Sequence, residues 1–256
     1  MCTLAVYFRV FPEYPLVIAA NRDELLSRPA TAPGILDPDG EVFGGRDEVC
    51  GGTWFGVNRS GVAAALLNRR SAAPPDPSKR SRGLLCLEAL RYRAADEARG
   101  WIAVERAATY NPFNLLVADA SASWVATTFH DEIGVSDLRP GLHLLTNLDL
   151  NDPTCPRIAG SYRSFAALLD SGQPRPRDPE FTERLREILS SHDMALDPRS
   201  PELGNSLCLH LGDYGTCSST LAFLHASGRW TYLHSDRAPC RGEYVEQQLR
   251  WDPWRA

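Results

Sequence analysis

The sequence has a single lysine, Lys79, no Cys-x-x-Cys pair, and no apolar run long enough to cross a bilayer. Each shortage removes a class of function. With a formal net charge of -5 there is no basic field for a phosphate backbone, so nucleic acid is not the expected partner. A mildly acidic chain also lacks an electrostatic grip on anionic lipid, and no integral membrane association is expected. The seven cysteines are odd in number and scattered, which predicts neither a disulfide framework nor a structural zinc site. His130, His143, His210, His225 and His234 show no metal-ligand spacing. No metal and no cofactor is expected. GGRDEVCGG matches no phosphate-binding loop, so Gly44, Gly45, Gly51 and Gly52 read as loop glycines with special dihedrals. Ser218 and Ser219 lack a Gly-x-Ser-x-Gly context. The first apolar stretch has no basic lead and is broken by Arg9 and Glu13, so it does not read as a signal peptide. Reduced, scattered thiols fit a cytoplasmic protein.

What is present is the composition of an ordinary globular chain, 43% hydrophobic and 23% charged, enough for a large core without staples. The expected organisation is one domain over residues 1–256. TLAVYFRVF and PLVIAANRDE read as a β-hairpin turning at Pro12–Pro15, rich in β-branched and aromatic residues. GGTWFGVN and GVAAALLN read as a second hairpin around Arg59, Ser60 and Gly61. LLCLEALRYRAADEARGWIAVERAATY has helical period with a break expected near Gly100. FNLLVADASASWVATTFH and GLHLLTN return to strand character. RIAGSYRSFAALLDSG, ended by Gly172, and FTERLREILSSH read as helices. TCSSTLAFLHASGRWTYLHS reads as two more strands around Ala226–Gly228. Strands, helix, strands, helices, strands is the order of an α+β layered protein with antiparallel sheets.

The residue that stands out is Cys2. Removal of Met1 is expected, because the second residue is small. Cys2 would then carry a thiol and a free α-amine on one residue. Their ordinary pKa values, about 8.5 and about 7.7–8.0, allow the amine to act as base for its own nucleophile. On position alone Cys2 reads as a packing residue. The sequence AANRDELLSRP changes that, because pairing of the first two strands brings Asn21, Arg22, Asp23 and Glu24 beside it. An arginine there favours thiolate and a carboxylate holds an ammonium. A solvated turn is the competing account of the same charges.

MCTLAVYFRVFPEYPLVIAANRDELLSRP closely resembles the start of the NRDE family, the transport and Golgi organisation 2-like proteins. The resemblance runs on through GGRDEVCGGTWFGVNRSGVAAALLNRR, LLTNLDLNDPTCPR and YGTCSSTLAFL. It implies the N-terminal nucleophile hydrolase superfamily and hence a four-layer αββα sandwich of antiparallel sheets. The opening Met-Cys-Thr is also similar, more distantly, to the choloylglycine hydrolase and penicillin V acylase group. That likeness implies Cys2 as nucleophile with Arg22 and Asp23 beside it, although the spacing differs and Glu24 is a second candidate for the carboxylate. It implies Asn68 as an oxyanion donor, Asn147 as a holder of the α-amine or the substrate carbonyl, and Arg157, or alternatively Arg163, as the downstream arginine. Asn21, Glu24 and Trp54 are the candidates for substrate contact, with core packing as the other role for Trp54. Related chains often carry arginine where this one has Cys217.

Two functions follow. One is an N-terminal cysteine amidohydrolase acting on an amide or related acyl bond of a small or amphipathic substrate. The other is a non-catalytic carrier of a small molecule, lipid or haem, on the same fold. A small-molecule substrate or ligand is the expected partner under either.

Overall fold

A computed structural model describes residues 2–130, 132–170, 172, 174–193, 206–249 and 251. The chain forms two compact units that interleave in sequence. The first comprises residues 1–28, 140–223 and 231–247, and the second residues 29–139, 224–230 and 248–256.

The first unit holds a sheet in the order β10-β1-β2-β12-β13-β14, with β11 also on β12. Its strands are β1 (Thr3–Phe11), β2 (Tyr14–Leu25), β10 (Gly141–Leu145), β11 (His210–Leu211), β12 (Tyr214–Leu224), β13 (Trp230–Ser235) and β14 (Val245–Glu246). The first hairpin forms as its composition predicts. Its turn is tighter than expected, with Tyr14 and Pro15 already in β2, and Arg9, at φ 52°, takes up a register shift. Alternation then decides the two faces. Ala5, Tyr7, Val17 and Ala19 pack against Ile158, Phe165, Phe181, Leu185 and Leu189. Those five lie on α3 (Pro156–Ala167) and α4 (Pro179–Leu189), so both helices cover one face of this sheet. The sequence places α3 correctly but extends it to Gly172; the helix ends at Ala167.

The second unit is a seven-stranded antiparallel meander, β3-β4-β5-β6-β7-β8-β9 in sequence order. Its strands are β3 (Ala30–Ile35), β4 (Val42–Asp47), β5 (Phe55–Asn58), β6 (Ala63–Asn68), β7 (Phe113–Ala118), β8 (Ser123–Phe129) and β9 (Glu132–Asp137). Leu85, Cys86, Ala89, Ala98 and Ile102, from α1 (Arg82–Ala89) and α2 (Ala95–Ile102), pack on Ala64, Leu66, Leu115, Val117 and Trp124.

Two expectations are corrected here. The helical break falls at residues 90–94, and Gly100 sits inside α2 with open space beside it. Tertiary contacts choose the break: Asn58 Nδ2 donates to the carbonyls of Leu90 and Tyr92 at 2.8 and 2.7 Å, and Asp119 accepts from Ala95 N–H at 2.8 Å. Gly44 and Gly45 are strand residues of β4. Both are glycine because of close approach, since a Cβ would strike the Phe55 carbonyl at Gly44 and the Trp54 ring at Gly45. Among the described residues no helix is long and apolar enough to cross a membrane.

Candidate functional site

The first three strands of the first unit's sheet set the site. Antiparallel pairing of β1 with β2 ends at Thr3↔Asn21, so one step further Cys2 lies opposite Arg22. Pairing of β1 with β10 ends at Leu4↔Leu145, two residues before Asn147. Cys2 and Arg22 therefore meet at the end of the β1–β2 ladder, next to the strand end that leads into Asn147. Asn147 is buried in the turn after β10, where Thr146 Oγ1 accepts from Leu148 N–H at 3.3 Å. Cys2 is half-buried, with Sγ 3.9 Å from the Asp23 carbonyl oxygen.

Burial pushes the Cys2 thiol above its ordinary range; the positive chain terminus and Arg22 pull it down, and Asp23 adds to the rise. The resting group is a neutral thiol, so an attacking sulfur needs a base at hand. Arg22 acts electrostatically on Cys217 and His234 as well. Burial pushes the His234 imidazole down to about 4, and Thr220 Oγ1 shares a 2.9 Å hydrogen bond with its Nδ1.

Asp23 points to the opposite side of β2 from Arg22. Its Oδ2 accepts from Arg157 Nη1 at 3.1 Å and its Oδ1 from Thr216 Oγ1 at 2.7 Å. Arg157 Nη1 also donates to Thr3 Oγ1 at 2.9 Å, while its Nη2 is buried with no hydrogen-bond partner. Arg157 reaches this position because Pro156 starts α3 directly before it, putting Arg157 in the first turn on the sheet side. Burial raises the Asp23 carboxyl, opposed by Arg157, the positive terminus and Thr216. The backbone carbonyl of Asp23 accepts from Tyr214 Oη at 3.1 Å. Arg163, the alternative to Arg157, is exposed on α3 and lines a cleft of about 590 Å³ with Ser161, Arg184, Glu187 and Leu207.

The remaining candidates separate. Asn21 is not placed for substrate: its Nδ2 donates to the carbonyls of Leu189 and Leu207 at 2.9 and 2.8 Å, and its Oδ1 accepts from Ser219 Oγ at 2.7 Å. Its donors are spent on pinning the end of α4 and the segment after it to β2. Glu24 turns its carboxylate to Leu25 N–H at 2.9 Å and to Arg28 at 3.9 Å, away from the Asp23 cluster. Asn68 is exposed at the end of β6 in the second unit, and Trp54 lies against Gly45 in that unit. Met1 lies outside the described residues.

Sequence reasoning missed Thr3 and Thr216 as partners of this cluster. Thr216 sits inside the YGTCSST stretch, but nothing local says that its hydroxyl meets Asp23. It also missed a side-chain group: His192, Cys208, His210 and Cys240 bring one ligand atom each to within 4.8 Å of one another. Their sequence spacing hides this, because they come from three separate stretches: His192, Cys208–His210 and Cys240.

Residues 1–238 match the Transport and Golgi organisation 2 family. The Bos taurus Transport and Golgi organization protein 2 homolog is 30% identical over 268 residues, covering 93% of this chain and 93% of that protein. The Homo sapiens homolog is 28% identical, covering 86% and 85%. Among solved structures, the Caenorhabditis elegans N-acylethanolamine-hydrolyzing acid amidase ortholog superposes with a TM-score of 0.58 at 17% identity, covering 86% of this chain and 92% of that one. Penicillin V acylase from Agrobacterium tumefaciens gives 0.56 at 13% identity, covering 97% and 98%. A variant of the conjugated bile acid hydrolase from Clostridium perfringens gives 0.56 at 11%, covering 97% and 94%. Among the described residues the architecture is α+β, two antiparallel sheets and four helices, the fold of these solved structures, and the chain belongs to the Transport and Golgi organisation 2 family.

Proposed function

We propose that this protein is an N-terminal cysteine amidohydrolase acting on an amide or related acyl bond of a small or amphipathic substrate. The observation that carries the reading is Cys2 Sγ 3.9 Å from the Asp23 carbonyl oxygen, at the strand end where the buried Asp23–Arg157 pair sits. With Met1 removed, the Cys2 α-amine takes the thiol proton as Sγ attacks the acyl carbonyl. A base on the same residue suits a thiol that is neutral at rest. Asp23 holds the ammonium so formed, and the proton then passes to the leaving amine. The Asn147 amide is the oxyanion donor of the first unit, a role whose loss costs about 2.7–4 kcal/mol where such donors have been removed. Water, deprotonated by the amine, releases the acyl group from sulfur. The names of three structural relatives, an acid amidase, an acylase and a bile acid hydrolase, support this reaction class. A cytoplasmic site of action is part of the reading, supported by seven scattered cysteines, an odd number that suits a reducing compartment.

One observation favours the carrier reading: burial raises the Cys2 thiol, as it does any thiol that merely packs. Two measurements separate the two. Intact mass of the native chain should show Met1 absent, and an acyl-amide probe that reacts with thiols should label Cys2 ahead of the other cysteines. Asn147→Ala should slow that acylation by about 10²–10³. Retention of Met1, or labelling that persists unchanged in Cys2→Ala, overturns the hydrolase.

A further inference from the structure

We infer that His192, Cys208, His210 and Cys240 form a tetrahedral zinc site. The four side chains converge although they leave the chain from different places: the residues after α4, the segment entering β11, β11 itself and the turn after β13. Cys208 Sγ lies 3.5 Å from Cys240 Sγ and 3.7 Å from His210 Nε2, and His210 Nε2 lies 3.2 Å from Cys240 Sγ. The His192 and His210 rings stand 5.2 Å apart between centroids. A tetrahedron with Zn–S near 2.3 Å and Zn–N near 2.05 Å has edges of about 3.3–3.8 Å. The three spacings among Cys208, His210 and Cys240 match those edges closely, and a His192 ring nitrogen lies within 4.8 Å of all three as the fourth ligand.

The chemistry of the donors narrows the ion. Two thiolates and two imidazoles are borderline-soft ligands in a four-coordinate arrangement, which suits zinc and not the oxygen-seeking calcium or magnesium. Two thiolates also neutralise a divalent charge, so a half-buried site carries no net penalty for an unpaired ion. The competing fate of two facing cysteines is a disulfide, but a bonded pair needs sulfurs about 2.05 Å apart.

The position gives the ion a structural task. Leu209, between two of the ligands, donates its N–H to Thr216 Oγ1 at 2.9 Å, and that hydroxyl donates to Asp23. The Leu207 carbonyl, one residue before Cys208, accepts from Asn21. A metal here fixes the segment that holds both side chains. The inference needs no particular reaction at Cys2, and its test reads metal rather than activity.

The full chain, produced in zinc-supplemented medium and purified with reductant, should carry about one zinc per chain by elemental mass spectrometry. Cys240→Ser and His210→Ala should each lower that content at least about ten-fold, while Cys50→Ser, remote in sequence and exposed, should not. Co²⁺ added to the zinc-stripped wild-type chain should give visible d–d bands and a thiolate charge-transfer band, a readout independent of whether any variant folds. Wild-type protein that neither retains zinc nor produces the cobalt bands overturns the site. So does full metal content in Cys240→Ser, or a Cys208–Cys240 disulfide in the reductant-purified chain.

Discussion

Arg157 and Asp23 meet at 3.1 Å with side-chain exposures of 2% and 0%, joining the first turn of α3 to the end of β2. In that environment neither charge has water to fall back on. Replacing Arg157 by Met leaves a buried carboxylate with Thr216 as its remaining side-chain donor. The expected loss is about 3–5 kcal/mol, read as a lower urea midpoint. Arg157→Met with Asp23→Leu removes both charges and should recover most of that loss. A single variant as stable as wild type would show that the pair carries little.

Asn21 separates structural from substrate roles. Asn21→Ala strips donors from the carbonyls of Leu189 and Leu207, which should destabilise the chain by about 2–4 kcal/mol. Acyl-probe labelling of Cys2, measured well below the melting temperature, should keep its wild-type rate. A variant that melts normally but labels slowly would return Asn21 to the substrate site.

Arg22 should control the reactivity of Cys2. Burial is the larger influence on that thiol and Arg22 opposes it, so Arg22→Met should raise the thiol further. Alkylation of Cys2 near neutral pH should then slow, because the thiolate is the reacting species. Cys50, exposed in the second unit, serves as the internal reference and should be unaffected.

His234 predicts an acid-side loss of stability. Burial lowers its folded pKa to about 4 from 6.5, so below pH 6.5 the unfolded chain takes up a proton that the folded chain refuses. Its contribution is complete above pH 6.5 and falls as the pH drops toward 4. The expected loss from this residue between about pH 7.5 and about pH 5 is about 2 kcal/mol. Urea midpoints at the two pH values should converge in His234→Asn, which cannot protonate.

The parts of this molecule legible in sequence are those set by neighbours in sequence. The first hairpin, which brings the Asn21–Glu24 segment beside Cys2, follows from two strand-forming segments and a short turn. Both helix pairs follow from apolar period. What the sequence hides is set by distant partners. Asn58 ends α1 from another element, so the break at residues 90–94 has no local mark. Strands β3, β4 and β9 went unread because their glycines and polar residues look like loop; Gly44 and Gly45 reveal their reason only when Phe55 and Trp54 are against them. Thr216 and the His192–Cys208–His210–Cys240 group are likewise products of tertiary convergence. Asn21 shows the opposite failure, a residue flagged by its neighbours in a motif but committed to backbone carbonyls.

The strand order β10-β1-β2 has a consequence in time. β1 must wait for a partner, Leu145 opposite Leu4, that is synthesised 141 residues later. At about 5–20 residues per second, that interval is roughly 7–28 seconds on the ribosome. Throughout it the amino end of the nascent chain lacks one flank and stays open to a processing peptidase. The proposed hydrolase reading therefore expects excision of the initiator before β10 pairs with β1. Nascent chains stalled with residue 147 still inside the exit tunnel should leave Cys2 freely alkylated, and longer ones should protect it.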